Sequence, residues 1–138
     1  MDLGHWKDGE HYYPFRVFYH HTDAGGIVYY ARYFEIAEEA RAAALVSLGI
    51  AGYPGAFEGD FVVRSLSANY ERSARLGDEI LVATRFLNPR GASMTAVQRI
   101  YVGGAAAKAA VDMTTELVWV GERHRPARIP GKILEALE

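Results

Sequence analysis

Apolar and polar residues alternate along this chain with two periods, and the change from one to the other falls near residue 60. Before it, Phe15–Tyr19 is a short aromatic and apolar run that predicts a strand. Residues 1–13 precede it as a polar arm. The segment HHTDAGG (20–26) predicts a loop, because paired glycines interrupt either period. From Tyr30 to Leu48 the apolar positions Tyr30, Phe34, Ala37, Ala44, Leu45 and Leu48 recur at helical spacing, with Arg32, Glu35 and Glu39 on the other side. The alanines favour this helix, and Gly49 is a natural stop. At ~1.5 Å per residue it is roughly 28 Å long. Residues 50–60 (IAGYPGAFEGD) predict a loop on glycine and proline grounds.

Beyond that point the period is that of strands. Phe61–Glu71 is long and mixed, and Ile80–Leu87 alternates Ile80, Val82, Thr84 and Phe86 against Leu81, Ala83 and Arg85. A turn at NPRGA (88–92) leads into a strand from Ser93 to Val102. Gly103-Gly104 then turns into a last strand reaching about Val120, with AAAKAA (105–110) drawn into it despite its helical propensity. Pro126 and Pro130 bracket a loop, and residues 131–138 predict a short terminal helix. Strand, loop, one long helix and then consecutive antiparallel strands imply an α+β domain, with the later strands as a meander and about five strands in the sheet. The helix buries one side on the sheet, and the sheet's remaining edges need cover or a partner.

Composition narrows the class. With 138 residues, 50% apolar and 23% charged, the chain suits one globular domain over 1–138, with residues 121–138 as a C-terminal tail. Fifteen Lys and Arg against seventeen Asp and Glu give a net charge of −2, which argues against a nucleic-acid-binding surface. The absence of cysteine removes disulfides, thiolate metal sites and a cysteine nucleophile. The first residues carry no apolar core of a signal peptide. The longest uncharged run, Ala42 to Phe57, is shorter than the roughly 20 residues that cross a bilayer and is broken by Gly49, Gly52, Pro54 and Gly55. The expectation is a soluble, cytoplasmic protein without membrane insertion. His20 and His21 are adjacent and would point to opposite faces of a strand, so no metal site is expected.

The segment HTDAGGIVYYARYFEIAEEAR (21–41) holds the candidate chemistry. Asp23 sits in a glycine-rich loop just before the helix, whose first N–H groups are unpaired and carry partial positive charge. Those donors can hold a developing oxyanion while a nearby carboxylate acts as base or nucleophile. Gly25 and Gly26 allow a sharp turn and close approach of a ligand. Equally, Asp23 can simply order the loop through an Asx-turn or a cap.

Here the sequence resembles the hotdog-fold acyl-CoA thioesterases, in the 4-hydroxybenzoyl-CoA thioesterase-like group and its Tol–Pal-associated (YbgC-type) branch. The residues that carry the likeness are Thr22, Asp23, Gly25, Gly26, Ile27, Val28, Tyr29, Tyr30, Ala31 and Tyr33, followed by Glu38, Ala40 and Arg41. It continues through FVVRSLSANYERSARLGDEI (61–80), GASMTAVQRI (91–100) and RPARIP (125–130). Two positions depart from the pattern: Tyr30 stands where many relatives carry histidine, and Ala37 replaces an aromatic residue. The resemblance implies a single hotdog domain in which the sheet wraps the helix, a homodimer or homotetramer with sites at the subunit interface, and hydrolysis of an acyl-CoA without metal or redox cofactor, CoA entering as part of the substrate. It makes Asp23 the catalytic carboxylate and the Tyr30 N–H the donor to the thioester oxygen. Arg90 and Ser93 match, loosely, a basic turn that meets the CoA nucleotide. Glu38 and Arg41, three apart on the helix, are expected to form an ion pair that supports the site. The rival reading is a non-catalytic acyl-CoA or acyl-carrier binding module, or an assembly partner in an envelope or lipid-synthesis complex.

Overall fold

The structure is a computed structural model that describes residues 2–49, 55, 57–103 and 108–138. In chain order it contains β1 (His5–Lys7), β2 (Glu10–Arg16), a 3₁₀ turn (Tyr19–His21), α1 (Arg32–Val46), β3 (Asp60–Tyr70), β4 (Glu79–Arg90), β5 (Ser93–Val102), β6 (Ala109–Val120), a second 3₁₀ turn (Glu122–His124) and α2 (Gly131–Leu137). One six-stranded antiparallel sheet, in the order β1-β2-β4-β5-β6-β3, curves around α1. This is the α+β layering expected. The turn residue Gly104, residues 105–107 of the alanine run and most of the 50–60 loop lie outside the described residues.

The N-terminal residues differ from the expectation. Residues 5–16 are no polar arm: β2 pairs with β4, His11 opposite Thr84 and Phe15 opposite Ile80, and β1 pairs with β2. Phe15 belongs to this strand, which ends at Arg16, while Tyr19 begins the 3₁₀ turn and is 81% exposed. Two polar-tipped rings, His11 and Tyr13, occupy alternating positions of β2, so the strand period is hidden in a hydropathy pattern. The Tyr13 hydroxyl donates to Glu39 of α1 at 2.7 Å, and burial together with that carboxylate pushes its pKa up to about 12.

The meander is confined to β4-β5-β6. β3 pairs with β6 at the opposite edge rather than with β4. Its connection to β4 is a packed crossover, with Ala74 fully buried and its carbonyl accepting the Val28 N–H at 2.8 Å. In β3 a register shift between Val63 and Ser65 resets the alternation. Phe61 on one side of it and Leu66 and Ala68 on the other all pack into the core.

Helix α1 occupies the core of the span expected, and Gly49 follows it at φ +69°. Its buried face is set by Tyr33, Ile36, Ala37, Ala40, Ala43, Ala44 and Leu45, while Tyr30 is 57% exposed. Alanines at four of those positions let the helix lie close on the sheet. Beneath it runs a buried polar band. Gln98 Nε2 donates to the Ala37 carbonyl at 2.9 Å and to Thr84 Oγ1 at 3.0 Å, and its Oε1 accepts from Arg41 at 3.0 Å. A second apolar cluster lies at the far end of the sheet, where Ile129 and Ile133 pack on Met94, Leu117 and Trp119. Residues 121–138 are therefore a docked segment and not a loose tail.

Candidate active site

An antiparallel bridge between Thr22 and Val28 closes the loop that carries Asp23. Within it the Asp23 N–H donates to the Ile27 carbonyl at 2.9 Å, and the Gly26 N–H donates to the Asp23 carbonyl at 3.1 Å. Gly26 takes φ +77°, a conformation glycine adopts without strain. Asp23 Oδ1 accepts the Gly25 N–H at 2.8 Å, so the Asx-turn is formed. A Cβ on Gly25 would sit 3.3 Å from that oxygen and crowd the carboxylate. One carboxylate oxygen thus orders the loop. Oδ2 has no partner among the described residues, and the residue is exposed.

The loop is fastened to the crossover between β3 and β4. Besides the Val28 contact, the Leu76 N–H donates to the Gly26 carbonyl at 3.1 Å, and Ile27 bridges Arg75. Behind it the fully buried Tyr33 hydroxyl accepts the Ala74 N–H at 2.8 Å. Burial raises the Tyr33 pKa, and the Ala74 donor recovers part of that shift. These contacts bring Asp23 to the start of α1. There Ala31 caps the helix without a side-chain bond, and the Tyr30 and Ala31 N–H groups have no hydrogen-bond partner among the described residues. The Tyr30 carbonyl accepts from Tyr33 N–H at 3.3 Å, and its ring packs edge-on against Tyr70, centroids 6.3 Å apart.

Asp23, Tyr29, Tyr30, Tyr70, Arg72 and Ser73 line one open groove of about 330 Å³. It presents a carboxylate oxygen, unpaired backbone donors at a helix N-terminus and aromatic walls. Such a groove can hold a carbonyl compound, stabilise charge on its oxygen and deliver a base or nucleophile to its carbon. Tyr70, Arg72 and Ser73 were not singled out from the sequence. Tyr70 ends β3 and Arg72 and Ser73 follow it, inside the stretch 61–80 that shares the family likeness but without a residue pattern that marks them individually.

The other expected site residues are elsewhere. Arg90 and Ser93 face each other at the β4–β5 turn, where Ser93 Oγ donates to the Arg90 carbonyl at 3.0 Å. Asp23 lies by the opposite end of the 12-residue strand β4. One protomer does not bring them together. Glu38 and Arg41 do not form the expected ion pair. Arg41 turns under the helix to Gln98 and is 7% exposed, while Glu38 faces solvent. Burial lowers the Arg41 pKa, and the Glu38 charge offsets part of this. His20 and His21 lie together in the 3₁₀ turn with ring centroids 3.8 Å apart and planes tilted by 44°, and His21 Nδ1 accepts the Phe18 N–H at 2.9 Å.

A two-layer α+β domain whose curved sheet wraps a single long helix, with a carboxylate loop at that helix's N-terminus, defines the hotdog class. The profile of the thioesterase superfamily matches residues 25–109, and the chain belongs to that family. It is 38% identical over 90 residues to an acyl-CoA thioesterase YbgC of Haemophilus influenzae, a match covering 64% of this chain and 66% of the relative. The chain thus matches just under two thirds of that relative's length. Its fold superposes with a TM-score of 0.78 on a probable thioesterase from Bartonella henselae, at 29% identity over 88% of this chain and 99% of that one. A 4-hydroxybenzoyl-CoA thioesterase shares the fold, with a TM-score of 0.82, 16% identity, and 94% and 99% of the two chains covered. No helix among the described residues is long and apolar enough to cross a membrane.

Proposed function

We propose that this protein hydrolyses acyl-CoA thioesters to the free acid and CoA. The observation that carries the reading is the shared groove: Asp23, with one carboxylate oxygen free among the described residues, and Tyr30, whose N–H is unpaired among them, line the same space at the start of α1. The likeness to acyl-CoA thioesterases supports the substrate class. Asp23 attacks the thioester carbon directly, giving a mixed anhydride that water then hydrolyses to release the acid and restore the carboxylate, or it takes the proton of the attacking water and passes it to the leaving thiolate. The Tyr30 N–H and the helix dipole stabilise the oxyanion, and the C–S bond breaks to release the thiol.

The working unit in this reading is a dimer. β3 is an edge strand. Its Asp60 end lies on the side of Val120, Ser93 and Arg90, as the pairings Asp60–Val120, Ser93–Val118 and Arg90–Ser93 establish. A second copy paired antiparallel along β3 brings its Arg90 end beside the first copy's Asp23. Arg90 and Ser93 then meet the CoA phosphates from across the interface.

The test is Asp23→Asn, which keeps the shape and removes the charge. Thiol release should fall ~10²–10⁴-fold, the scale of a lost catalytic group, with a thermal midpoint close to wild type. A variant with near-normal turnover but a lower midpoint would reduce Asp23 to its Asx-turn. Wild-type protein that binds acyl-CoA and never releases thiol would favour the binding-module reading.

A further inference from the structure

Tyr33 lies in the first turn of α1, fully buried in the apolar cluster that also holds Val28, Ile36 and Ala74. Phenylalanine would fill the same space without burying a hydroxyl. A buried hydroxyl is costly unless it is hydrogen-bonded. This one accepts the Ala74 N–H at 2.8 Å, a donor in a fully buried residue that has no other partner among the described residues. The Ala74 carbonyl in turn accepts the Val28 N–H at 2.8 Å, and two residues on the Leu76 N–H donates to the Gly26 carbonyl at 3.1 Å. The crossover that makes these contacts is itself anchored on both sides. Before Ala74, the Glu71 and Arg72 N–H groups donate to the Ala110 carbonyl at 2.8 and 3.2 Å. After it, the Asp78 N–H donates to the Arg75 carbonyl at 3.0 Å, the Arg75 N–H donates to the Asp78 carboxylate at 2.8 Å, and Gly77 at φ +86° makes the turn type II.

Tyr33 therefore joins two parts of the site. Its N–H donates to the Tyr30 carbonyl at 3.3 Å, inside the turn that presents the Tyr30 N–H. Its hydroxyl is bonded to the crossover that carries the Asp23 loop. We propose that Tyr33 is a positioning residue: its hydroxyl, through Ala74, holds the Asp23 loop in place against the Tyr30 N–H, so that carboxylate and oxyanion donor meet one carbonyl group. Tyr33 acts through Asp23 and not on the substrate. The inference rests on the thioesterase reading above. Its effect belongs to turnover more than to binding, because a shift of ~1 Å between reacting groups costs about 10²-fold in rate.

The experiment is Tyr33→Phe, with Tyr13→Phe as its control. Tyr13 also gives α1 a hydroxyl contact, to Glu39 at 2.7 Å, but it lies outside the Asp23 groove. Assayed by thiol release well below its thermal midpoint, Tyr33→Phe should lower kcat at least ~10-fold and leave KM within about threefold. Tyr13→Phe should keep kcat within about twofold. In an Asp23→Asn background, Tyr33→Phe should change the residual rate by less than about threefold, since there is no carboxylate left to position. Hydrogen exchange supplies a readout that needs no turnover: the Val28 amide should exchange at least ~10-fold faster in Tyr33→Phe and not in Tyr13→Phe. Leu76→Pro loosens the same loop from the surface and serves if Tyr33→Phe does not fold. Leu76 is exposed and is the second residue of the type II turn, where proline is favoured, so the variant keeps the turn and loses the N–H that bonds Gly26. Its kcat should also fall at least ~10-fold. Unchanged kcat in Tyr33→Phe, or in Leu76→Pro where that variant takes its place, would overturn the assignment. So would an equal loss in Tyr13→Phe, a loss that falls on KM, a full further loss on top of Asp23→Asn, or unchanged Val28 exchange. If wild type cleaves no thioester, the thioesterase reading fails, and the Val28 exchange still decides whether Tyr33 holds the loop.

Discussion

His11 is fully buried in β2, opposite Thr84 and edge-on to Trp6 with centroids 5.3 Å apart. Neither ring nitrogen makes a well-formed hydrogen bond. Burial, with the His5 charge adding to it, lowers the His11 pKa below its ordinary 6.5, and the Leu3 backbone recovers part of the loss. The folded chain thus keeps this ring neutral where the unfolded chain would protonate it. Below about pH 6.5 the unfolded state binds more protons, so stability falls as pH falls through that value and is complete above it. His21 is lowered too, by burial first and by the His20 charge next, and contributes with the same sign. Thermal midpoints measured from pH 7.5 to 5 should decline, and His11→Leu should flatten the lower part of that profile. An unchanged slope in the variant would remove His11 from the account. Asp23 was legible in the sequence because a carboxylate beside two glycines ahead of a helix is a local pattern. Gln98 was not: the strand period puts it on the face of Ala96 and Ile100, but nothing local shows that it will meet the Ala37 carbonyl and the Arg41 guanidinium beneath α1.

At the level of elements, α2 shows how tertiary contacts supply what local propensity lacks. Seven residues are too few for a helix stable on its own. Ile133 holds it, fully buried in the cluster of Met94, Leu117 and Trp119. Ile133→Ala should cost about 2–5 kcal/mol in a denaturant melt, the range for a large buried aliphatic side chain cut to alanine, and a loss under about 0.5 kcal/mol would mean that α2 docks only loosely. The sequence made α1, β5 and the end of β6 readable because their periods run unbroken from one turn signal to the next. It concealed β2, whose alternating positions include a histidine and a tyrosine. It also concealed the partner of β3. Which strand lies beside which is decided by long-range packing of the Ala74 crossover under the Asp23 loop, and a short connection between two strands looks like a hairpin from sequence alone. The bulge at Val63–Ser65 has the same origin, since it becomes visible only when both halves of β3 must face one core.

For the whole molecule, the arrangement of ends matters most. One protomer holds Asp23 at one end of the sheet and Arg90 and Ser93 at the other, and β3 is unpaired along one side among the described residues. Val62 and Val63 on that strand are 44% and 49% exposed, and an open edge with half-exposed valines invites a second strand. In the dimer proposed above, isologous antiparallel pairing along β3 would cover the edge in both copies at once and give each Asp23 the other copy's Arg90 end. Lysine on an edge strand is the usual device against such pairing. Val62→Lys with Ser67→Lys places it at two exposed positions of β3 outside the Asp23 groove. Light scattering should find wild type at about twice the 15.3 kDa chain mass and the double variant near the single mass. Circular dichroism should show the variant still folded, because its core is untouched. Its thiol-release rate should fall at least ~10²-fold, the loss expected when substrate contacts no longer meet the catalytic carboxylate. A folded monomer with wild-type turnover would show that one protomer carries a complete site and would remove the dimer from the mechanism.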